Sequence, residues 1–229
     1  MRYSMNIENK FSKFSMHGLS DEQTQRELGD ANTYKFLDKL FDPAIFWTND
    51  HKHYFMLLEC WDGSPSKKHR VATAAISFAA MENTYLPYKD WVREALEIEW
   101  LCICDTFRGT GHLAVVCQRI IDAAEETGIF VYGYARNFQI NMPELDNKTD
   151  IGKWISEGSN TRLENSLKKN RQKSKTLYQK YLEYGFCSFD GTGMDIGDRW
   201  FKKLAFGYKS TKLKSGIVSD FVDHHIKCI

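Results

Sequence analysis

The sequence has no excess of charge of either sign: 31 Lys and Arg stand against 30 Asp and Glu, for a formal net charge of +1. That balance excludes a protein whose whole surface clings to nucleic acid, so any polyanion contact must be local. It also lacks a long apolar run. Stretches such as Val71 to Met81 and Leu113 to Ala124 are too short or too interrupted to cross a bilayer. Met1 to Phe14 carries no apolar core followed by small residues, so no secretion signal is expected. There is no internal repeat and no low-complexity tract. Paired cysteines at zinc spacing are missing too: Cys102 and Cys104 have no second pair, and no metal site is expected. The six cysteines mostly sit inside apolar runs, where small buried thiols sit, which suggests a reduced, cytoplasmic protein.

What is present is ordinary globular composition, 42% hydrophobic and 27% charged over 229 residues, which fits a single domain, 1–229, carrying one insertion. Ser20 to Gln23 offers a helix start, and Thr33 to Leu40 sets Tyr34, Phe36, Leu37 and Leu40 on one helical stripe. His53 to Trp61 and Arg70 to Phe78 flank the turn-rich Asp62 to Ser66 as an antiparallel hairpin would. Leu96 to Asp105 alternates as a strand, with Ile98, Trp100, Cys102 and Cys104 on one face and Glu97, Glu99, Leu101 and Ile103 on the other. His112 to Glu126 changes to helical period and stops at Gly128, and Ile129 to Tyr134 is strand again. Strand, helix and strand on short joints make a βαβ unit with two parallel strands. A polar insertion at 141–171, with an apolar patch around Trp154, is followed by a helix over Gln172 to Tyr184, a short strand over Phe186 to Phe189 and a closing strand over Asp198 to Tyr208.

Between the first parallel strand and its helix lies Arg108-Gly109-Thr110-Gly111-His112-Leu113. A helix N-terminus has unpaired N–H groups and partial positive charge, glycines let a backbone approach a pyrophosphate, and an arginine adds a charge-assisted contact. The third glycine and distant acid of a dinucleotide fingerprint are missing, as is the Gly-Lys-Ser/Thr of a P-loop. The stretch from Ile98 to Gly128 instead resembles the cofactor-binding motif of the GNAT acyltransferase superfamily, in which Arg/Gln-x-x-Gly-x-Gly/Ala joins a strand to a helix. Arg108 and Gly111 match that motif; Leu113 stands where the family has glycine or alanine. The order of elements over roughly 20–140 and 172–208 agrees as well.

The resemblance implies an α/β fold, a mixed and mostly antiparallel sheet with a central splayed parallel pair flanked by helices. It implies acetyl-CoA as cosubstrate, bound by Leu101, Cys102, Ile103, Arg108, Gly109, Thr110, Gly111, His112 and Leu113, with the pantetheine arm along the strand edge and the amide near Leu101 holding the oxyanion. An N-acetyltransferase of this kind works through a ternary complex with an amine, either a small molecule or a protein. Tyr181, four residues before Gly185-Phe186, is the expected acid for the leaving thiolate, with Tyr178 in reserve, and Glu99 the expected base. The basic run Lys168, Lys169, Arg171, Lys173, Lys175 and Lys180 opens a different reading, an inactive GNAT-fold adaptor docking on RNA or an acidic protein. His224, His225 and Cys228 read as a polar tail.

Overall fold

The computed structural model describes residues 31–40, 53–61, 68–81, 90–103, 105–136, 171–190 and 202–228. The expectations for Ser20 to Gln23, the Asp62 to Ser66 turn and the 141–170 part of the insertion lie outside these residues.

Strands β1 (His53–Trp61) and β2 (Lys68–Met81) pair antiparallel, as the alternating runs on either side of the turn signal require. β2 pairs antiparallel with β3 (Asp90–Ile103), and helix α2 (His112–Thr127) crosses from β3 to β4 (Phe130–Tyr134), which is parallel to β3. Past β4 the sheet continues antiparallel through β6 (Ala205–Tyr208), β5 (Cys187–Phe189) and β7 (Ile226–Lys227), giving the order β1-β2-β3-β4-β6-β5-β7. Helix α1 (Ala31–Leu40) precedes the sheet, α3 (Arg171–Glu183) leads into β5, and α4 (Ile217–His225) follows β6. Among the described residues the chain is therefore a mixed α/β protein whose sheet is antiparallel except at the β3/β4 pair.

Every residue of β4 is buried, because apolar layers cover both faces of the sheet there. On one face Leu96, Ile98 and Val131 pack with Val116, Cys117, Ile120 and Ala124 of α2, Phe36 of α1 and Tyr181 of α3. On the other, Ala95, Phe130, Tyr132 and Phe189 pack with Val218, Phe221 and Val222 of α4. α2 ends where its sequence says it should: Gly128 takes φ 75°, and its N–H closes on the Ala124 carbonyl at 2.9 Å.

Four expectations need correction. The alternation along β3 is broken, because Trp100 pairs with Ala75 and Ile98 with Ile76, leaving Glu99 as an extra residue in a β-bulge. The bulge shifts the phase, so Leu101 and Ile103 pack against the same cluster as Leu96 and Ile98 rather than sharing a face with Glu97. The C-terminal segment is not a tail: Val218, Phe221 and Val222 make the i, i+3, i+4 stripe of an amphipathic helix, and His224 and His225 close its last turn, with their Nδ1 atoms 2.8 and 2.7 Å from the carbonyls of Asp220 and Phe221. Cys187 and Cys228 are not buried thiols but a disulfide joining β5 to the end of the chain across 41 residues. β6 is also shorter than the strand read over Asp198 to Tyr208; residue 202 is helical, 203–204 form a turn, and 198–201 lie outside the described residues.

Candidate functional site

The parallel pairing of β3 with β4 is short. It runs from Ala95 opposite Phe130 to Ile98 opposite Gly133, and β3 then continues to Ile103 paired with β2 alone. The two strands part at the bulge, and the gap between their C-terminal ends opens into a cleft of 560 Å³. Such a gap outside the carboxyl ends of parallel strands is the usual ligand position in open α/β sheets.

The cleft has three walls. Leu101, Cys102 and Ile103 supply the edge of β3; Phe107, Arg108, Gly109, Gly111, His112 and Leu113 supply the loop and first turn of α2. The third wall is one stripe of α3, with Lys173, Leu177, Lys180 and Tyr181 at helical spacing and Tyr184 just past its end, and Arg136 lines the cleft beyond β4. Arg108, Arg136, Lys173 and Lys180 bring four cations to this cleft, and among the described residues its lining contains no carboxylate. An apolar strand edge and four cations in one cleft suit a ligand that carries phosphates on an extended arm.

The loop has the backbone its glycines foretell. Gly109 and Gly111 take φ of 77° and 86°, a region that L side chains avoid. A Cβ built on either glycine would meet nothing within 4 Å, so the glycines serve the turn and leave its outer side open. Gly111 is the N-cap of α2 and offers no side-chain cap, which leaves the first N–H groups of the helix facing outward. Thr110, by contrast, is tied into the turn: its hydroxyl donates to the Phe107 carbonyl at 2.6 Å, and His112 Nδ1 lies 2.5 Å from the Thr110 hydroxyl oxygen. Arg108 folds back on the strand, donating from Nε to the Ile103 carbonyl at 2.9 Å and from Nη2 to Cys102 Sγ at 3.3 Å.

Of the expected catalytic side chains, Tyr181 lines the cleft at 5% exposure, with its ring stacked on Phe206 at 4.0 Å and edge-on to Phe186. Burial, with Cys117 and Cys102 beside it, pushes its phenol well above the ordinary tyrosine range, so the hydroxyl keeps its proton at neutral pH. Tyr178 packs against the core cluster, while Tyr181 and Tyr184 face the cleft. Glu99 is the bulge residue of β3, and its carboxylate lies outside the described side chains. Glu97 accepts a hydrogen bond from Tyr132 at 2.9 Å on the other side of the sheet. Cys117 is core, as its place on α2 suggests, and burial pushes its thiol up to about 12. Trp154, Lys168 and Lys169 lie outside the described residues.

Sequence reasoning missed Phe107, Arg136, Leu177 and Tyr184. Arg136 had a signal, since it lies two residues past β4, at the carboxyl end of the second parallel strand. Leu177 and Tyr184 had one too, because they continue the helical stripe of Lys173, Lys180 and Tyr181.

No protein-family model and no curated protein matches the sequence. Among solved structures, a KacTA–DNA complex aligns over 92% of both chains at 14% identity with a TM-score of 0.32. AtaTR bound with AcCoA aligns over 89% of this chain and 87% of that one at 12% identity, with a TM-score of 0.31. Superpositions this loose leave the functional reading to the chain's own geometry.

Proposed function

We propose that the chain is an acyl-CoA-dependent acyltransferase of the GNAT type, moving an acetyl group from acetyl-CoA to an amine in a ternary complex. The single observation that carries this reading is the cleft opened by the parting of β3 and β4, which joins an apolar strand edge to a glycine loop and four cations. The loop N–H groups at Gly111 and His112, with Lys173 and Lys180, take the phosphates, while Arg108 stays on the strand edge. The pantetheine arm lies along Leu101 to Ile103, where β4 has left β3 without a neighbour on that side. Carbonyl and amide groups of one residue point the same way from a strand, and alternate residues share that direction. Arg108 takes the Ile103 carbonyl from the cleft side, which is consistent with the Leu101 amide facing the thioester oxygen.

In the transfer, the amine attacks the thioester carbon, and the oxyanion that develops rests on the Leu101 amide. The Tyr181 phenol gives its proton to the departing thiolate, a role for which a neutral, buried hydroxyl is suited. The amine loses its proton to Glu99 or to water beside it. Lys173 and Lys180 of the basic run line the cleft while staying exposed, which supports a role for them in holding phosphates. Thiol release from acetyl-CoA, measured across a panel of polyamines, peptide N-termini and lysine peptides, tests the reading. The expected result is amine-dependent release that Tyr181→Phe slows by roughly 10²-fold in kcat with KM for acetyl-CoA within about threefold. Equal rates for the two chains would remove Tyr181 from the reaction, and no release with any amine would remove the N-acetyltransferase assignment.

A further inference from the structure

Cys102 is a thiol outside the disulfide that lines the cleft itself, buried to 6% exposure on the edge of β3. Its thiol donates to the Ile103 carbonyl at 3.7 Å, and two side chains beside it bear on its chemistry. The guanidinium of Arg108 donates to its sulfur at 3.3 Å, and a thiolate formed there would keep that bond as a charge-assisted one. Tyr181, more than nine-tenths buried and facing the same cleft, has a hydroxyl with no hydrogen-bond partner among the described residues. A buried phenol aimed at an open space beside a thiol provides a donor for a sulfur that is not part of this chain.

We propose that Cys102 is a thiolation site for coenzyme A, forming a mixed disulfide by exchange with an oxidised form of the cofactor held in the same cleft. The inference rests on the acyl-CoA reading, because that reading brings the cofactor's sulfur to Leu101, one residue from Cys102. The exchange balances without an external oxidant beyond the disulfide itself. The Cys102 thiolate attacks the coenzyme A sulfur of a CoA–S–S–R disulfide, the Cys102–S–S–CoA bond forms as the S–S bond to R breaks, and the thiol proton of Cys102 ends on the departing R–SH. Tyr181 donates to the departing sulfur as it gains charge. The adduct fills the cleft with the cofactor it serves, so acyl transfer stops under oxidising conditions and returns when a dithiol reduces the bond. Buried Cys117 sits on α2 behind the lining and has no such access.

The test uses the full chain with the coenzyme A–glutathione mixed disulfide as probe and glutathione disulfide as control, followed by intact mass and peptide mapping. The expected result is one coenzyme A adduct per chain, mapped to Cys102, forming at least about tenfold faster than glutathionylation by the control, slowed by desulfo-coenzyme A and reversed by dithiothreitol. A coenzyme A adduct on another cysteine, or on Cys102 at the control rate, would overturn the proposal. Desulfo-coenzyme A alone separates the two readings. If it raises the melting temperature while Cys102 stays unmodified, only the thiolation site falls; if it binds nowhere and no adduct forms, the cofactor cleft falls as well.

Discussion

Gly133 shows how one residue sets the position of a catalytic candidate several contacts away. A Cβ built there would meet the Phe206 ring and the Ile98 carbonyl, each at 3.0 Å, and Phe206 is the ring on which Tyr181 stacks. Gly133→Ala is therefore expected to cost about 1–3 kcal/mol of stability by overpacking and to lower kcat by moving Tyr181, with urea unfolding and thiol-release kinetics as the two measurements. Cys117 makes a second prediction at this scale. Its thiol is raised from 9.0 to about 12 by burial, so the folded chain holds that proton more tightly than the unfolded one. The stability it contributes is fully present below pH 9 and is lost as pH rises from there toward about 12, at up to roughly 1.4 kcal/mol per pH unit. Cys117→Ala should flatten that alkaline limb of a melting-temperature profile; an unchanged slope would mean that other groups govern it. Site residues were legible where chemistry and turn signals coincide, as at Arg108, Gly109 and Gly111. Arg136 was not, because a lone arginine after a short strand gains meaning only when the splayed partner strand is known.

At the scale of elements, α2 is the organiser. Its N-terminus faces the cleft, and its C-terminus is latched to the segment after β6 through Glu125, which accepts from Tyr208 at 3.0 Å and from the Thr211 amide at 2.9 Å, and pairs with the Thr211 hydroxyl as well. Those bonds from Thr211 hold the Glu125 carboxyl below its ordinary value. Gly128 stands in the same corner with φ 75° and would place a Cβ 2.8 Å from the Lys212 carbonyl. Gly128→Ala combines left-handed strain with a backbone clash, so a loss of about 2 kcal/mol or more is expected in chemical denaturation, against a few tenths for a surface control. The βαβ unit itself was readable because the hydrophobic period changes from two to that of a helix and back at turn residues. The bulge at Glu99 was not: one inserted residue leaves the composition of a strand intact and shows itself only in the pairing with β2. The amphipathic stripe of α4 was visible in Val218, Phe221 and Val222, but the histidines and charges around it read as a tail until β7 and the disulfide gave the segment a place in the sheet.

For the whole molecule, the sheet divides the labour. The α1, α2 and α3 face carries the cleft, and the α4 face closes the opposite core, with β7 as a two-residue edge pinned through Cys187 and Cys228. Closing a 41-residue separation removes chain entropy from the unfolded state, worth about 4 kcal/mol in that account. Cys228→Ser, or reduction by dithiothreitol, is expected to lower the unfolding free energy by several kcal/mol and to loosen α4, read as faster amide exchange at Phe221 and Val222. Exchange unchanged on reduction would show that α4 docks without the disulfide.

The central claim is that the opening between β3 and β4 holds the phosphates and arm of acetyl-CoA. The measurement that tests it most directly is a thermal-shift titration with acetyl-CoA on the native chain beside Gly111→Ala and Gly111→Glu. Both variants share the cost of a side chain at φ 86°, and the glutamate alone adds bulk and negative charge where the pyrophosphate rests. A rise in melting temperature that grows with the logarithm of ligand concentration, persists in Gly111→Ala and disappears in Gly111→Glu is the predicted result. No rise at millimolar acetyl-CoA, or one that Gly111→Glu leaves intact, would contradict the account.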